Sequence, residues 1–267
     1  MSNTQRNFWD ALYGSNGLRD SELNTMVRSQ RRQRQEILEK GISGVPHALV
    51  LEAGCGRGED ILGLYKPGNF LVGLDYSLNS VKICSKLQKK LNCDSAFVLG
   101  DLLHLPFRDD IFDLVFNAGV IEHFVDSSAA LKEMVRVAAP SRNIIAFVPN
   151  MFSFWVSYKH IINFLSKVTK RIRGWGVWEK SFNSVDLNRL GRVSNLTTIK
   201  IKGIYLMHYY HIALILEQLA RNKMPRSFTR LIINFLAKLD RQPSSLSACL
   251  GMELGLIGTK KSRTIDT

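Results

Sequence analysis

Cysteine is scarce in this chain. Four occur in 267 residues: Cys55, Cys84, Cys93 and Cys249. None forms a C-x-x-C pair, and none stands near histidine at zinc-ligand spacing. A disulfide scaffold and a metal site are therefore not expected, and four free thiols in a reducing compartment are the simplest reading. Long apolar runs are also missing. None approaches the ~20 residues that span a bilayer, and the N-terminal MSNTQRNFWDALYG has no apolar signal core. The expected location is cytoplasmic, at most peripheral to a membrane surface. There is no internal repeat and no low-complexity linker. At 45% hydrophobic and 22% charged residues, the chain is globular rather than disordered.

Acidic residues are depleted in one part only. Residues 1–150 balance 17 Lys+Arg against 17 Asp+Glu, whereas residues 151–267 hold 19 basic and 6 acidic residues, so the whole net charge of +13 sits there. Such asymmetry points to an anionic partner for the second part. Phe152, Phe154, Trp155 and Tyr158 interleave with Lys159, Lys167, Lys170, Arg171 and Arg173. That mixture fits a helix lying on an anionic membrane surface through residues 151–175. A helix packed on the fold with a solvated basic end accounts for it equally well. Nucleic acid is not expected as a partner, because no recognised binding module or target-base motif such as N-P-P-Y is present. Arg28, Arg31, Arg32 and Arg34 form a second basic cluster, read as a solvated helix face.

Helices are expected over 5–13 and 21–40. From residue 48 short apolar runs alternate with helical stretches. Strands are expected over 48–53, 70–76, 95–101, 112–119 and 143–150, with helices over 58–65, 78–91 and 127–138. Apolar strands separated by helices imply a parallel sheet covered on both faces. Further helices are expected over 151–170, 184–195, 208–222 and 227–239, and strands over 196–206 and 253–261.

The stretch LVLEAGCGRGED (49–60) crowds Gly54, Gly56 and Gly58 where the first strand ends. Glycine there weakens the turn unless something must approach the backbone closely. In an open parallel sheet, ligands sit beyond the carboxyl ends of the strands. A dinucleotide wants G-x-G-x-x-G. Here the sixth position is Glu59, followed by Asp60, and two acids at a helix start would repel a pyrophosphate. S-adenosylmethionine needs no pyrophosphate site. Glu52 suits its ammonium group, Asp75 its two ribose hydroxyls, Asp101 its adenine amino group, with the Leu102 backbone beside the ring, and Asn117 the methionyl end.

With those residues in order, the sequence resembles the class I S-adenosylmethionine-dependent methyltransferases, especially the small-molecule group typified by ubiquinone-pathway O-methyltransferases. LVLEAGCGRGE, LVGLDYS, GDLLHLPFRDDIFDLVFNAGVIEHF and LKEMVRVAAPSRNIIAFVPN carry the likeness, over about residues 47–150. The resemblance implies an α/β, Rossmann-like seven-stranded sheet, mostly parallel with an antiparallel last strand. Helices cover both faces, and a helical cap is inserted at 207–250. Three regions follow: 1–46, N-terminal helices covering the cofactor site; 47–150, the cofactor-binding core; and 151–267, a basic substrate cap plus the last two strands. WEKSFNSVDLNRLGRVSNL resembles the family's segment before its sixth strand, but Val193-Ser194-Asn195 replaces the usual Ala-Gly. The implied cofactor-binding set is Glu52, Gly54, Cys55, Gly56, Asp75, Tyr76, Asp101, Leu102 and Asn117.

Methyl transfer from a sulfonium is an in-line displacement, so the protein must chiefly place the nucleophile. An oxygen nucleophile also needs a base, and O-methylation of a small-molecule or lipid-linked acceptor is the favoured reading. His123 follows the fourth strand and has the right unperturbed pKa for that work; its plainer reading is to order the loop with Glu122. His104 reads as structural. His208 and His211 read as substrate contacts or helix surface. A nicotinamide-dependent oxidoreductase and a methyltransferase-like binding protein without turnover are the alternatives.

Overall fold

The computed structural model describes residues 3–14, 24–153, 156–157, 160, 163, 178–204 and 251–262. Two helices come first, α1 (Asn3–Gly14) and α2 (Asn24–Gly41). Then follow β1 (Leu49–Ala53), α3 (Glu59–Leu62), β2 (Phe70–Asp75), α4 (Leu78–Leu91), β3 (Ser95–Leu99) and β4 (Phe112–Ala118). After these come α5 (Ser127–Val137), β5 (Ala138–Pro149), α6 (Ser184–Val193), β6 (Leu196–Ile204) and β7 (Glu253–Lys260).

The seven strands form one sheet in the order β3-β2-β1-β4-β5-β7-β6. β1, β2, β3, β4 and β5 pair in parallel, and β7 runs antiparallel to both β5 and β6. The expected sheet, with its reversed last strand, is therefore present. Strand alternation builds a core on each face. Leu51, Ala53, Val72, Val115 and Ile144 face one cluster, with Leu131 and Met134 of α5 and Leu187 of α6. Val50, Leu71, Leu114, Phe116 and Ile145 face the other, with Ile37 and Leu38 of α2, Ile61 of α3 and Cys84 of α4.

Several boundaries differ from expectation, each for a local reason. α3 has four residues rather than eight, because beyond Leu62 the chain passes into tighter turns, Leu64 N–H donating to the Ile61 carbonyl at 3.0 Å and Tyr65 N–H to the Leu62 carbonyl at 3.2 Å. β5 begins at Ala138 because Phe112 pairs with Ala138 before the register shifts and Leu114 pairs with Asn143. Asn195 has a φ of 63°. Asparagine tolerates this left-handed conformation, so it stands in for the absent glycine before β6. The helices expected over 151–170, 208–222 and 227–239 lie wholly or mostly outside the described residues. So do Phe154, Trp155, Tyr158, Lys159, Lys167, Lys170, Arg171, Arg173, His208 and His211. Among the described residues, no helix is long and apolar enough to cross a membrane.

Arg31 and Arg34 are not a solvated face. Arg34, with 15% of its side chain exposed, pairs with Asp60 at 2.9 Å and with Glu253 at 3.1 Å. Arg31 pairs with Glu59 and lies 4.0 Å from Asp60. Arg32, 70% exposed, does remain in solvent beside Glu36. The cluster ties α2 to the start of α3 and to the first residue of β7. It also places cations beside Glu59 and Asp60, so their repulsion of a pyrophosphate is not what separates the two ligand classes.

Candidate functional site

The turn after β1 is left-handed at Gly54 (φ 87°), Gly56 (φ 50°) and Gly58 (φ 71°). A Cβ on Gly54 would meet Val120 at 2.5 Å, and one on Gly56 would meet the Tyr13 hydroxyl at 2.8 Å. Conformation favours glycine at both positions, and at Gly54 space demands it as well. The N–H groups of Gly54 and Cys55 donate to the Leu74 carbonyl at 2.7 and 2.9 Å. The turn is thereby pinned to the end of β2.

Asp75 closes that strand. Its Oδ2 accepts from Gly56 N–H at 2.7 Å and its Oδ1 from Ser77 N–H at 2.9 Å. Burial pushes its pKa above the ordinary aspartate value, against the pull of those N–H groups. Beyond the strand ends lies a cavity. Gly54, Asp75 and Tyr76 form one wall, and Gly100, Asp101 and Leu102, after β3, form the next. Ala118, Gly119, Val120, His123 and Phe124, after β4, form the third, and Trp9 and Tyr13 of α1 cover it. Burial, reinforced by Asp75, pushes the Tyr13 phenol well above its usual range. α1 is held in place by Asp10, which accepts from the Ser77 hydroxyl and, through its carbonyl, from Asn79 at 3.0 Å.

Among the described residues, two carboxylates and no lysine or arginine line this cavity. A pyrophosphate would face Asp75 and Asp101 with no cationic side chain in the wall. A sulfonium bearing an adenosine, with ribose hydroxyls and an adenine amino group to donate, fits the same acceptors.

His123 ends a short 3₁₀ turn, Ile121–His123, and is 6% exposed. Its Nδ1 lies 3.0 Å from the Trp178 carbonyl. A carbonyl only accepts, so Nδ1 carries the proton and Nε2 is the basic nitrogen. The Trp9 ring meets the imidazole edge-on, with centroids 5.3 Å apart. Residues 178–182 strap the turn from outside. Lys180 N–H donates to the Glu122 carbonyl at 2.9 Å, Lys180 Nζ to the Val125 carbonyl, and Phe182 N–H to the Pro149 carbonyl at 3.0 Å.

Four residues expected at the ligand, Glu52, Cys55, Gly56 and Asn117, do not line the cavity, and Gly56 instead gives its N–H to Asp75. Glu52 shares the Val50 face of β1, so its side chain enters the core on the α2 side. There its Oε2 accepts from Ile61 N–H at 3.0 Å. Burial first, and Asp60 second, raise its pKa well above the ordinary value. Asn117 shares the Val115 face and meets Met134 of α5, its Nδ2 3.1 Å from Sδ. The Cys55 thiol is buried in the core on the α2 side, near Cys84, so Cys55 offers the turn its backbone alone. Gly54, Asp75, Tyr76, Asp101, Leu102 and His123 do come together. Sequence reading missed Trp9 and Tyr13, although their i, i+4 spacing puts both rings on one helix face.

Residues 51–145 match the family described as Methyltransferase domain. A Thermotoga maritima structure, described as a S-adenosylmethionine-dependent methyltransferase and possible histamine N-methyltransferase, superposes with a TM-score of 0.56. It is 19% identical, over 97% of this chain and 95% of that one. The fold is that of a class I S-adenosylmethionine-dependent methyltransferase. Phosphoethanolamine N-methyltransferase 2 of Haemonchus contortus, in complex with S-adenosyl-L-methionine, shares this methyltransferase fold. Its TM-score is 0.59 at 15% identity, over 96% of this chain and 56% of that one. Among curated relatives, norajmaline N-methyltransferase of Rauvolfia serpentina is 35% identical over 99 residues, 36% of this chain and 34% of that protein. Demethylmenaquinone methyltransferase of Roseiflexus castenholzii is 28% identical over 147 residues, 49% of this chain and 61% of that protein. The chain thus spans 34–61% of the length of these two relatives.

Proposed function

We propose that this protein transfers a methyl group from S-adenosylmethionine to a neutral, largely apolar small molecule or to the head of a lipid-linked one. The observation that carries the reading is the acid-lined cavity against the glycine turn, with His123 in its wall. Asp75 would hold the ribose, Asp101 and Leu102 the adenine, and the backbone of the Gly54–Gly56 turn the methionyl end. When bound, S-adenosylmethionine supplies an electrophilic methyl group on a good leaving group. The chain's own task is then positioning and proton handling. His123 Nε2, set by the Trp178 carbonyl on the opposite nitrogen, takes the proton from an acceptor O–H or N–H. Trp9, Val120 and Phe124 give that end of the cavity an apolar wall, which favours a planar, uncharged acceptor. The relatives' names speak of N-methylation and of demethylmenaquinone, so the oxygen acceptor favoured by the sequence stands beside nitrogen and quinone acceptors.

Calorimetry with S-adenosylmethionine, S-adenosylhomocysteine and NADH tests the first half. The first two should bind and the third should not; the opposite order would replace the methyltransferase reading with an oxidoreductase one. Screening of amine, phenol and polyprenyl-quinol acceptors tests the second half. His123→Ala should lower turnover ~10²–10⁴-fold with cofactor affinity nearly unchanged. Binding with no transfer to any class would favour a protein that binds without turnover.

A further inference from the structure

Asp101 and Leu102 belong to a loop, residues 100–111, that has little regular structure of its own beyond a bridge between Asp101 and His104. One guanidinium spans its middle. Arg136 of α5 donates through Nη2 to the Leu105 carbonyl at 2.9 Å, and through Nη1 to the Phe107 carbonyl at 2.9 Å and to Asp109 Oδ1 at 2.7 Å. Its Nε and Nη2 also meet the two oxygens of Glu133 at 2.8 and 2.9 Å. Glu133 in turn accepts from Leu105 N–H at 2.9 Å. The pair therefore grips three alternate loop residues from a helix whose apolar face is buried in the core. The end of α5 is anchored as well: Lys260 Nζ donates to the Arg136 carbonyl at 2.8 Å and to the Ala138 carbonyl at 2.9 Å. At the loop's start, a Cβ on Gly100 would meet Leu74 at 2.7 Å, so that end is already tight against β2.

We propose that Arg136 and Glu133, neither of which touches the cavity, are positioning residues that hold the Asp101–Leu102 wall and thereby set affinity for the adenosyl end of the ligand. The inference rests on the S-adenosylmethionine reading above. Arg136 is 31% exposed and Glu133 22% exposed, so simple charge attraction is screened and the effect lies in geometry. A planar fork reaches several carbonyls at fixed angles, which an ammonium point charge does not. Lysine at 136 should therefore not substitute for arginine.

The test compares wild type with Arg136→Gln, Arg136→Lys and Glu133→Gln, using Arg142→Gln as the control. Arg142 pairs with Asp113 at 3.1 Å and is 41% exposed, outside both cavity and loop. S-adenosylhomocysteine and adenosine are titrated by calorimetry, and amide hydrogen exchange is followed at 54–58 and 101–109. Both Arg136 variants should bind both ligands at least tenfold more weakly, a loss of about 1.4 kcal/mol. Exchange should accelerate at 101–109 and stay as in wild type at 54–58, with the control unchanged throughout. Affinities within twofold of wild type would overturn the inference, as would exchange accelerated equally in both segments. If wild type binds neither ligand, the methyltransferase reading fails, and unaltered exchange at 101–109 in the variants would then dispose of the clamp separately.

Discussion

Asp75 sits where a buried carboxylate must do two things. It already accepts from the N–H groups of Gly56 and Ser77, and the Ser80 hydroxyl and Tyr76 N–H also bear on it, so ribose hydroxyls would share its two oxygens with donors from the chain itself. A hydrogen bond to a charged group contributes roughly 1.5–3 kcal/mol, so Asp75→Ala should weaken cofactor binding by about tenfold to a hundredfold. The carboxylate is the form that accepts. Because burial raises its pKa, affinity should hold at neutral pH and fall on acidification. The loss should come at a higher pH than the ~3.9 of an exposed aspartate. Calorimetry from pH 8 down through the acidic range checks both claims, and unchanged affinity in the substituted protein would sink the ribose assignment. The place of Asp75 and Asp101 in the cavity wall was legible in the sequence because a polar residue at the end of an apolar strand can turn toward whatever lies beyond the sheet. Glu52 and Asn117 were misplaced because each stands within its strand, where pleat parity decides the face. Glu52 follows Val50 into the α2 side, and Asn117 follows Val115 into α5.

Elements were legible in proportion to how locally their signals are written. Apolar runs marked six strands and alternation the sixth in the chain, and the helices expected over 78–91, 127–138 and 184–195 open on the Ser77, Asp126 and Asn183 caps. Arg31 and Arg34 were misread because their partners, Glu59, Asp60 and Glu253, lie 26 to 219 residues away in the chain, and no local pattern announces such pairs. That misreading leads to a stability test. Asp60 is 8% exposed and Glu253 21% exposed; without Arg34 both carboxylates lose their closest cation. Breaking a buried pair from one side costs about 3–5 kcal/mol, whereas neutralising all its members is often tolerated. Arg34→Met should therefore destabilise by about 3 kcal/mol. Adding Asp60→Asn and Glu253→Gln should recover most of the loss. Urea unfolding measures both, and a single variant within 1 kcal/mol of wild type would show the cluster to be a surface pair in energetic character.

Charge belongs to the whole molecule. The neutral first 150 residues contain the acid-lined cavity, and the remainder holds the entire excess of +13. Most of that excess lies outside the described residues, but its described border is apolar and partly basic. Phe152 is 59% exposed and Trp178 54% exposed, and Lys180 Nζ lies 5.8 Å from the Trp178 ring centre. This border adjoins the turn that holds His123, since the Trp178 carbonyl accepts the hydrogen bond from His123 Nδ1. Exposed aromatics beside cations suit the boundary between headgroups and acyl chains, where a lipid-linked acceptor would present its head. The protein should therefore bind anionic vesicles in preference to neutral ones. Each Lys or Arg near such a surface contributes about 1 kcal/mol, within roughly a Debye length. Replacing Lys167, Lys170, Arg171 and Arg173 together by Gln should weaken vesicle binding strongly at low salt and less at high salt. S-adenosylhomocysteine affinity should stay put, because Asp75 and Asp101 belong to the neutral part. Co-sedimentation decides the matter: equal pelleting of wild type with neutral and anionic vesicles would remove the membrane as partner and leave a soluble acceptor as the reading.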